Sequence, residues 1–263
     1  MTSLRNIAAI LEKEWRHYFG SPIAYVAICM WALLFGFFFN FAVEFFLRQS
    51  LQMSQQMEMG GGPKLSMNEY LIRPVMQNMA VVALFILPML TMRLFAEEKR
   101  TGTIELLATS PITDWQIVLG KFLGALSLYM LMILVGMINV AVLWRFASSP
   151  PEWKPVLTGV LALLLVGGSF ISMGLFLSTL TRNQIVAGVL GFGMALMFWI
   201  FSWFDQPTAE AWQKVVAYLG ITTHMEELSK GVIDLKDLVF YVSFIAFGLF
   251  LAEQSVASQR WRA

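Results

Sequence analysis

Six long windows of the sequence contain no charged residue, and they constrain the fold more than any other feature. They cover residues 23–43, 75–92, 122–144, 156–180, 185–204 and 238–252. A helix needs about 20 apolar residues to cross the hydrocarbon core of a bilayer, and the first five windows meet that length. The sequence therefore predicts an all-α membrane protein with six spans, at about residues 23–43, 75–92, 116–144, 156–180, 185–204 and 238–257.

The composition excludes several classes of protein. Hydrophobic residues make up 58% of the 263 positions and charged residues 13%, whereas charged residues make up about 25% of a typical soluble domain. Apolar runs such as residues 161–166 lack the alternation of outer-membrane barrel strands. The net charge of +1 gives no indication of nucleic-acid binding, and the single Cys29 excludes a disulfide framework or a cysteine-based metal cluster.

Residues 1–20 have the pattern of an amphipathic helix. Its apolar face is spaced at helical intervals and contains Leu4, Ile7, Ala8, Leu11, Trp15 and Tyr18. Gly20 and Pro22 then end this helix and begin the first span, because Pro is tolerated at an early helical position. We expect the helix to lie at the membrane interface, where it either braces the spans or acts only as an anchor.

Six spans place both ends of the chain on the same side of the membrane. Ten basic residues fall on that side and eight on the other, and a basic cluster at residues 93–100 lies close to two span ends. Because basic residues are enriched in cytoplasmic loops, we expect both termini in the cytoplasm of a multi-pass protein.

Residues 93–115, between the second and third spans, form the most charged stretch of the chain. Ile104, Leu107 and Ala108 form a short apolar helical face that Ser110-Pro111 ends. Thr113 and Gln116 have the spacing of a capping box, which predicts the start of the next helix. We expect a short helix between two spans; the alternative is a solvated loop that only sets orientation.

Residues 205–237, on the other side, contain two apolar-patterned pieces at 211–219 and 225–232. Neither is long enough to span, so they are expected to lie in the interface or to re-enter the membrane. This segment either closes the outer end of a translocation route or is a surface cap. Within the fourth span, the small residues at 167–169 and Gly174 predict close helix packing.

Methionines cluster after the first span, at Met53, Met57, Met59 and Met67. Thioethers are ligands suited to Cu(I), so this loop is a candidate copper site. Since the 17 methionines are spread along the whole chain, we predict no metal site and interpret the segment as a loop broken at residues 60–63.

The order of residues 97–107, followed by Thr109-Ser110-Pro111, resembles the ABC-2 type transporter permeases. Within that family it resembles the gliding-motility (Gld) and copper-processing (Nos) permease subunits. The resemblance extends to the six-span layout, the N-terminal amphipathic helix and residues 224–234, and so covers essentially the whole chain as one permease domain, residues 1–263.

The resemblance implies a six-helix, type V exporter-like permease bundle of the prokaryotic plasma membrane, with outer re-entrant helices. Such a subunit dimerises with an identical or different permease and binds two copies of a cytoplasmic ATP-binding subunit through a coupling helix. The residues implied in that contact are Glu97, Glu98, Lys99, Arg100, Thr101, Gly102, Thr103, Ile104, Glu105, Leu106, Leu107, Ser110 and Pro111. The residues implied in an outer gate are His224, Glu227, Gly231 and Asp234.

No G-x-x-x-x-G-K-[ST] phosphate loop occurs in these 263 residues, so ATP and Mg²⁺ are expected in the partner subunit, with no cofactor in this chain. The Glu97-Glu98 pair is similar to the EExxxR motif of membrane prenyl-endopeptidases, but Gly102 stands where that motif needs Arg. We therefore predict no enzyme activity. The function implied is an export permease; the alternative is a permease-like, non-transporting scaffold of a motility or secretion complex.

Overall fold

A computed structural model describes residues 2–57, 66–103, 112–147, 150–204 and 210–260. All the elements it describes are helical. In chain order they are α1 (Thr2–Phe19), α2 (Pro22–Met57), a π-helix (Asn68–Ile72), α3 (Arg73–Thr91), α4 (Ala96–Thr101), α5 (Asp114–Phe146), α6 (Trp153–Leu180), α7 (Gln184–Phe201), a 3-10 turn (Ser202–Phe204), α8 (Ala211–Tyr218), α9 (Met225–Ser229) and α10 (Leu235–Arg260).

Six of these helices are long and apolar enough to cross a membrane, which confirms the predicted number of spans. They correspond to α2, α3, α5, α6, α7 and α10. The predicted break after α1 and the capping box of α5 are both present, because α2 begins at Pro22 and the Thr113 side chain accepts from the Gln116 amide. The spans are longer than predicted, and α2 continues to Met57 instead of ending near residue 43.

The helices α3 and α6 form the centre of the bundle. Within the most apolar stretch of each, 72% of the residues are buried, against 17–33% for the other four spans. α6 packs against α3, α5, α7, α9 and α10. A Cβ atom on Gly167 would lie 2.0 Å from the Tyr129 ring and one on Gly174 would lie 2.2 Å from Thr91 Oγ1, so the predicted close packing of small residues is confirmed.

The bundle has two ends, which we name after the short helices there. The α4 end carries α1, α4, the start of α5 and the last turn of α6, and Thr179 of α6 donates to Ser255 of α10 at 2.7 Å. The α9 end carries α8, α9 and the first turns of α3, α6 and α10. Both the first described helix and the last turns of α10 therefore lie at the α4 end, as an even number of spans requires.

Candidate functional site

The turn between α3 and α4 is fixed to the last turn of α6 by one hydroxyl group. The backbone N–H groups of Phe95 and Ala96 both donate to Ser178 Oγ at 3.0 Å, and that hydroxyl donates to the Met92 carbonyl at 3.2 Å. Lys99 Nζ also donates to the Thr179 carbonyl. Because α6 is central and Ser178 is fully buried, this hydroxyl connects the turn before α4 to the core of the bundle.

A buried cluster of charges joins α4 to α1 and α5. The Lys121 side chain, only 2% exposed, lies 2.8 Å from Glu14 Oε1 and 3.0 Å from Glu98 Oε1. Lys13 Nζ lies 2.7 Å from the same Glu98 oxygen. Burying an ammonium group costs several kcal/mol unless carboxylates compensate for it, so Lys121 needs both Glu14 and Glu98. The cluster therefore holds three helices in one arrangement.

Small residues on α5 let α1 approach closely enough to form this cluster. A Cβ on Gly120 would lie 2.7 Å from the Ile10 side chain, and one on Gly124 would lie 2.9 Å from Glu14 Cβ. Further along the same contact, Trp15 Nε1 donates to Ser127 Oγ at 2.6 Å. The helix α1 thus runs beside the first turns of α5. Near the C-terminal end of α1, burial raises the pKa of the Tyr18 hydroxyl.

A cleft of about 290 Å³ opens between α1 and α4 beside the cluster. His17 Nε2 lies 3.5 Å from Glu97 Oε2, and Arg93 Nε lies 4.0 Å from the same oxygen. Glu97 therefore faces α1 across the cleft, whereas Glu98 is directed into the buried cluster. Basic and acidic side chains therefore alternate around the cleft, with Lys13, His17, Arg93 and Lys121 beside Glu14, Glu97 and Glu98.

The predicted contact residues of the coupling segment separate into two groups. Glu98 and Lys99 bind other helices of the chain, while Arg100, Thr101, Gly102 and Thr103 are exposed at the end of the bundle. The short helix expected between two spans is present as α4, which ends at Thr101 because Gly102 adopts φ +75°, in the left-handed region that ends helices. The rest of the predicted contact lies outside the described residues: Ile104, Glu105, Leu106, Leu107, Ser110 and Pro111.

The four predicted gate residues do not converge on one site. His224 is buried against α10, whereas Glu227 pairs with Lys230 at 2.7 Å on the surface of α9. Gly231 adopts φ +91° beside Pro155 of α6. Asp234 pairs with Lys236 at 2.9 Å. Each residue therefore has its own local role at the α9 end.

Sequence reasoning missed Glu14, Lys121 and Ser178 as site residues. One signal was available for Glu14, which is spaced four residues from both Ile10 and Tyr18 and so lies on the buried face of α1. Ser178 is one of many small polar residues in an apolar span, and no local pattern distinguishes it from the others.

The chain has relatives among known proteins. The model of the family described as "ABC-2 family transporter protein" matches residues 8–256. The "Probable multidrug ABC transporter permease YbhR" of Escherichia coli K12 is 24% identical over 208 residues, covering 73% of this chain and 55% of the relative. The protein of the same name from Escherichia coli O157:H7 gives the same figures, so the chain spans about half the length of these relatives. Because the family model covers nearly every residue, this chain belongs to the ABC-2 family of transporter proteins.

Proposed function

We propose that this chain is the membrane permease subunit of an ABC exporter, driven by ATP hydrolysed in two copies of a separate subunit. Membership of the ABC-2 family supports a membrane subunit that is not itself an ATPase. The order of residues 97–107 and 109–111 favours a Gld/Nos-type permease, acting as a homodimer or heterodimer in a prokaryotic plasma membrane. ATP and Mg²⁺ bind to the partner, and both termini and α4 face the cytoplasm.

The observation that carries the proposal is the two-sided arrangement of α4. One side binds α1, α5 and α6 through Glu98, Lys99 and the Ser178 hydroxyl. The other side exposes Arg100 and residues 101–103 at the end of the bundle, where a cytoplasmic subunit can reach them. A short helix with an exposed tip and a fixed base transmits a push, because only residues 92–95 separate it from α3.

In the proposed mechanism, closure of the ATP-binding subunits displaces α4. Its displacement moves α3 and α6 through the Ser178 hydrogen bonds, and moves α1 and α5 through the Glu98–Lys121–Glu14 cluster. Rearrangement of these helices switches access to a path at the dimer interface. Residues 210–234, which we call the α8–α9 segment, close the outer end of that path.

The first test is to purify the tagged chain in mild detergent and identify co-purifying proteins by mass spectrometry. We expect a phosphate-loop ATPase in equal amount. Arg100→Glu is expected to release it, because Arg100 is exposed on the proposed contact surface. The matched control is Arg48→Glu, which reverses an equally accessible charge on α2, away from α4, and is expected to leave the complex intact.

Recovery of the chain with motility or secretion proteins and no ATPase would support the alternative, a permease-like scaffold. Equal ATPase recovery with Arg100→Glu and with the unaltered chain would contradict the assignment of the α4 tip as a contact surface.

A further inference from the structure

The loop between α8 and α9 is fastened to the last span through a buried imidazole. His224, 5% exposed, lies with Nδ1 2.7 Å from Asp237 Oδ1 and with Nε2 2.9 Å from the Tyr218 carbonyl oxygen. The Asp237 side chain is also buried. Both ring nitrogens therefore face oxygen atoms at hydrogen-bonding distance.

The two contacts fix the number of protons that the pair carries. A carbonyl oxygen only accepts, so Nε2 must carry a hydrogen to bond Tyr218. The contact between Nδ1 and Asp237 then requires a second proton, either on the ring or on the carboxyl group. In both forms the pair is neutral overall, and the proton belongs to the two residues together.

Loss of that proton breaks the arrangement. The one hydrogen left on the imidazole can be donated either to the Tyr218 carbonyl or to Asp237. At the other contact, a nitrogen lone pair then faces an oxygen lone pair. The pair also becomes a buried net negative charge. Within the part of the chain that the structure describes, Asp237 Oδ2 has no hydrogen-bond partner that could compensate for it.

We propose that His224 and Asp237 form a proton-dependent latch, which holds the α8–α9 segment on α10 and releases it when the shared proton is lost. The imidazole stacks on Phe240 of α10 with ring centroids 3.9 Å apart. Tyr241 of α10 donates to the Ile221 carbonyl at 2.6 Å, so the latch lies beside a second hydrogen bond between the segment and that span. If the chain is the proposed exporter, the latch makes its outer gate depend on external pH. Only this effect on transport rests on the proposed function; the latch itself does not.

Several other ionisable groups lie near the imidazole or on the segment around it. The titratable groups facing the imidazole are Asp237 and Tyr241 from α10 and Tyr218 from α8. α6 packs on α9 and meets Gly231 through Pro155, which does not titrate, and α3 contributes Arg73, paired with Glu226.

Hydrogen bonds move the pKa values of nearby surface groups further from pH 7. The hydrogen bond from Lys230 lowers the pKa of Glu227 and raises the pKa of Lys230 itself. The hydrogen bond from Lys236 likewise lowers the pKa of Asp234. These three surface groups therefore keep their charges near neutral pH.

The test uses a single thiol as a reporter of release. In a Cys29→Ser background, Ile221→Cys places a thiol at a fully buried position of the loop between α8 and α9, where the backbone carbonyl accepts from Tyr241 of α10. Its rate of reaction with a membrane-impermeant maleimide is divided by the rate for the denatured protein at the same pH. Release of one proton raises the open fraction by up to about tenfold per pH unit, so we expect a rise of at least about tenfold between about pH 6 and about pH 9.

Two latch variants separate this proposal from a general effect of pH. An amide at position 237 donates to neutral Nδ1 without a titrating proton, so Asp237→Asn is expected to keep the reporter slow and independent of pH. His224→Ala removes the latch and is expected to make labelling fast at both pH values. The proposal would be overturned if the labelling rate of Asp237→Asn depended on pH as strongly as that of the protein with the intact latch. It would also be overturned if labelling of the protein with the intact latch did not depend on pH. Because no ATP is added, either result leaves the export function to its own test.

Discussion

At the scale of single residues, Lys121 has the most demanding environment in the described α4 end. Its ammonium group lies between Glu14 and Glu98 and 5.1 Å from the centre of the Phe95 ring. A buried ion pair adds little stability relative to a well-packed apolar replacement, but a half-removed pair leaves an uncompensated charge. The cluster therefore specifies how α1, α4 and α5 fit together more than it stabilises the fold.

Lys121→Met should lower the stability of the protein strongly, because it removes the cation that pairs with the buried Glu14 carboxylate and leaves Glu98 with Lys13 alone. Removal of one partner from such a cluster costs about 3–5 kcal/mol. The measurement is the midpoint of thermal unfolding in detergent. Lys154→Met, at an exposed position near the start of α6, is the control and should leave the midpoint nearly unchanged.

Adding Glu14→Gln to Lys121→Met should recover part of the loss, since the buried carboxylate that lost its cation is then removed. If the double variant is no more stable than the single one, the cluster does not act as an electrostatic unit.

At the scale of helices, the charge-free windows predicted the spans because the membrane core admits few charges. Their ends were less predictable, because the bilayer constrains only the residues inside it. α2 continues past residue 43 with Glu44 and Arg48 exposed on successive turns, their charged atoms 3.6 Å apart. Such residues are compatible with a helix or a loop, so the sequence pattern does not distinguish the two.

The predictable part of the candidate site was the part encoded locally. The start of α5 followed from Thr113 and Gln116, three residues apart. The contacts of Lys121 with Glu14, 107 positions away, and of Ser178 with Phe95, 83 positions away, depend on how helices pack. Contacts between residues so far apart produce no periodic pattern in a single sequence, so they could not be predicted from it.

Ser178→Ala should uncouple α4 from α6 while leaving the subunits assembled. The substitution leaves the backbone N–H groups of Phe95 and Ala96 without their acceptor, at a cost of about 1–3 kcal/mol for a buried donor. We expect ATP-driven transport by the purified complex to fall severalfold, with unchanged recovery of the ATP-binding subunit.

Ser172→Ala is the matched control for this test. Ser172 is equally buried in α6, but its hydroxyl donates only within its own helix, to the Ser169 carbonyl. Equal transport by the Ser178→Ala and Ser172→Ala complexes would show that the hydroxyl bridge does not carry the coupling.

At the scale of the whole molecule, each end of the bundle has its own cluster of buried ionisable side chains. Lys121 with its two carboxylates lies at the α4 end, and the His224–Asp237 pair lies at the α9 end. α6 runs between them, since Ser178 contacts the α4 turn and Pro155 meets Gly231 of the α8–α9 segment. A change at either end can therefore reach the other through one central helix.

Measuring the orientation of the molecule in the membrane tests whether α4 can reach a cytoplasmic subunit. Arg48 of α2 is exposed away from α4, whereas Arg100 is exposed at the α4 tip. In a Cys29→Ser background, we expect Arg48→Cys to react with an impermeant maleimide in intact cells, and Arg100→Cys to react only after the membrane is opened. The physical reason is the basic cluster at residues 93–100, which favours the cytoplasmic side. The reverse labelling pattern would place α4 and α1 outside the cell, beyond the reach of an ATP-binding subunit, and would exclude α4 as the coupling element even though the fold and family would stand.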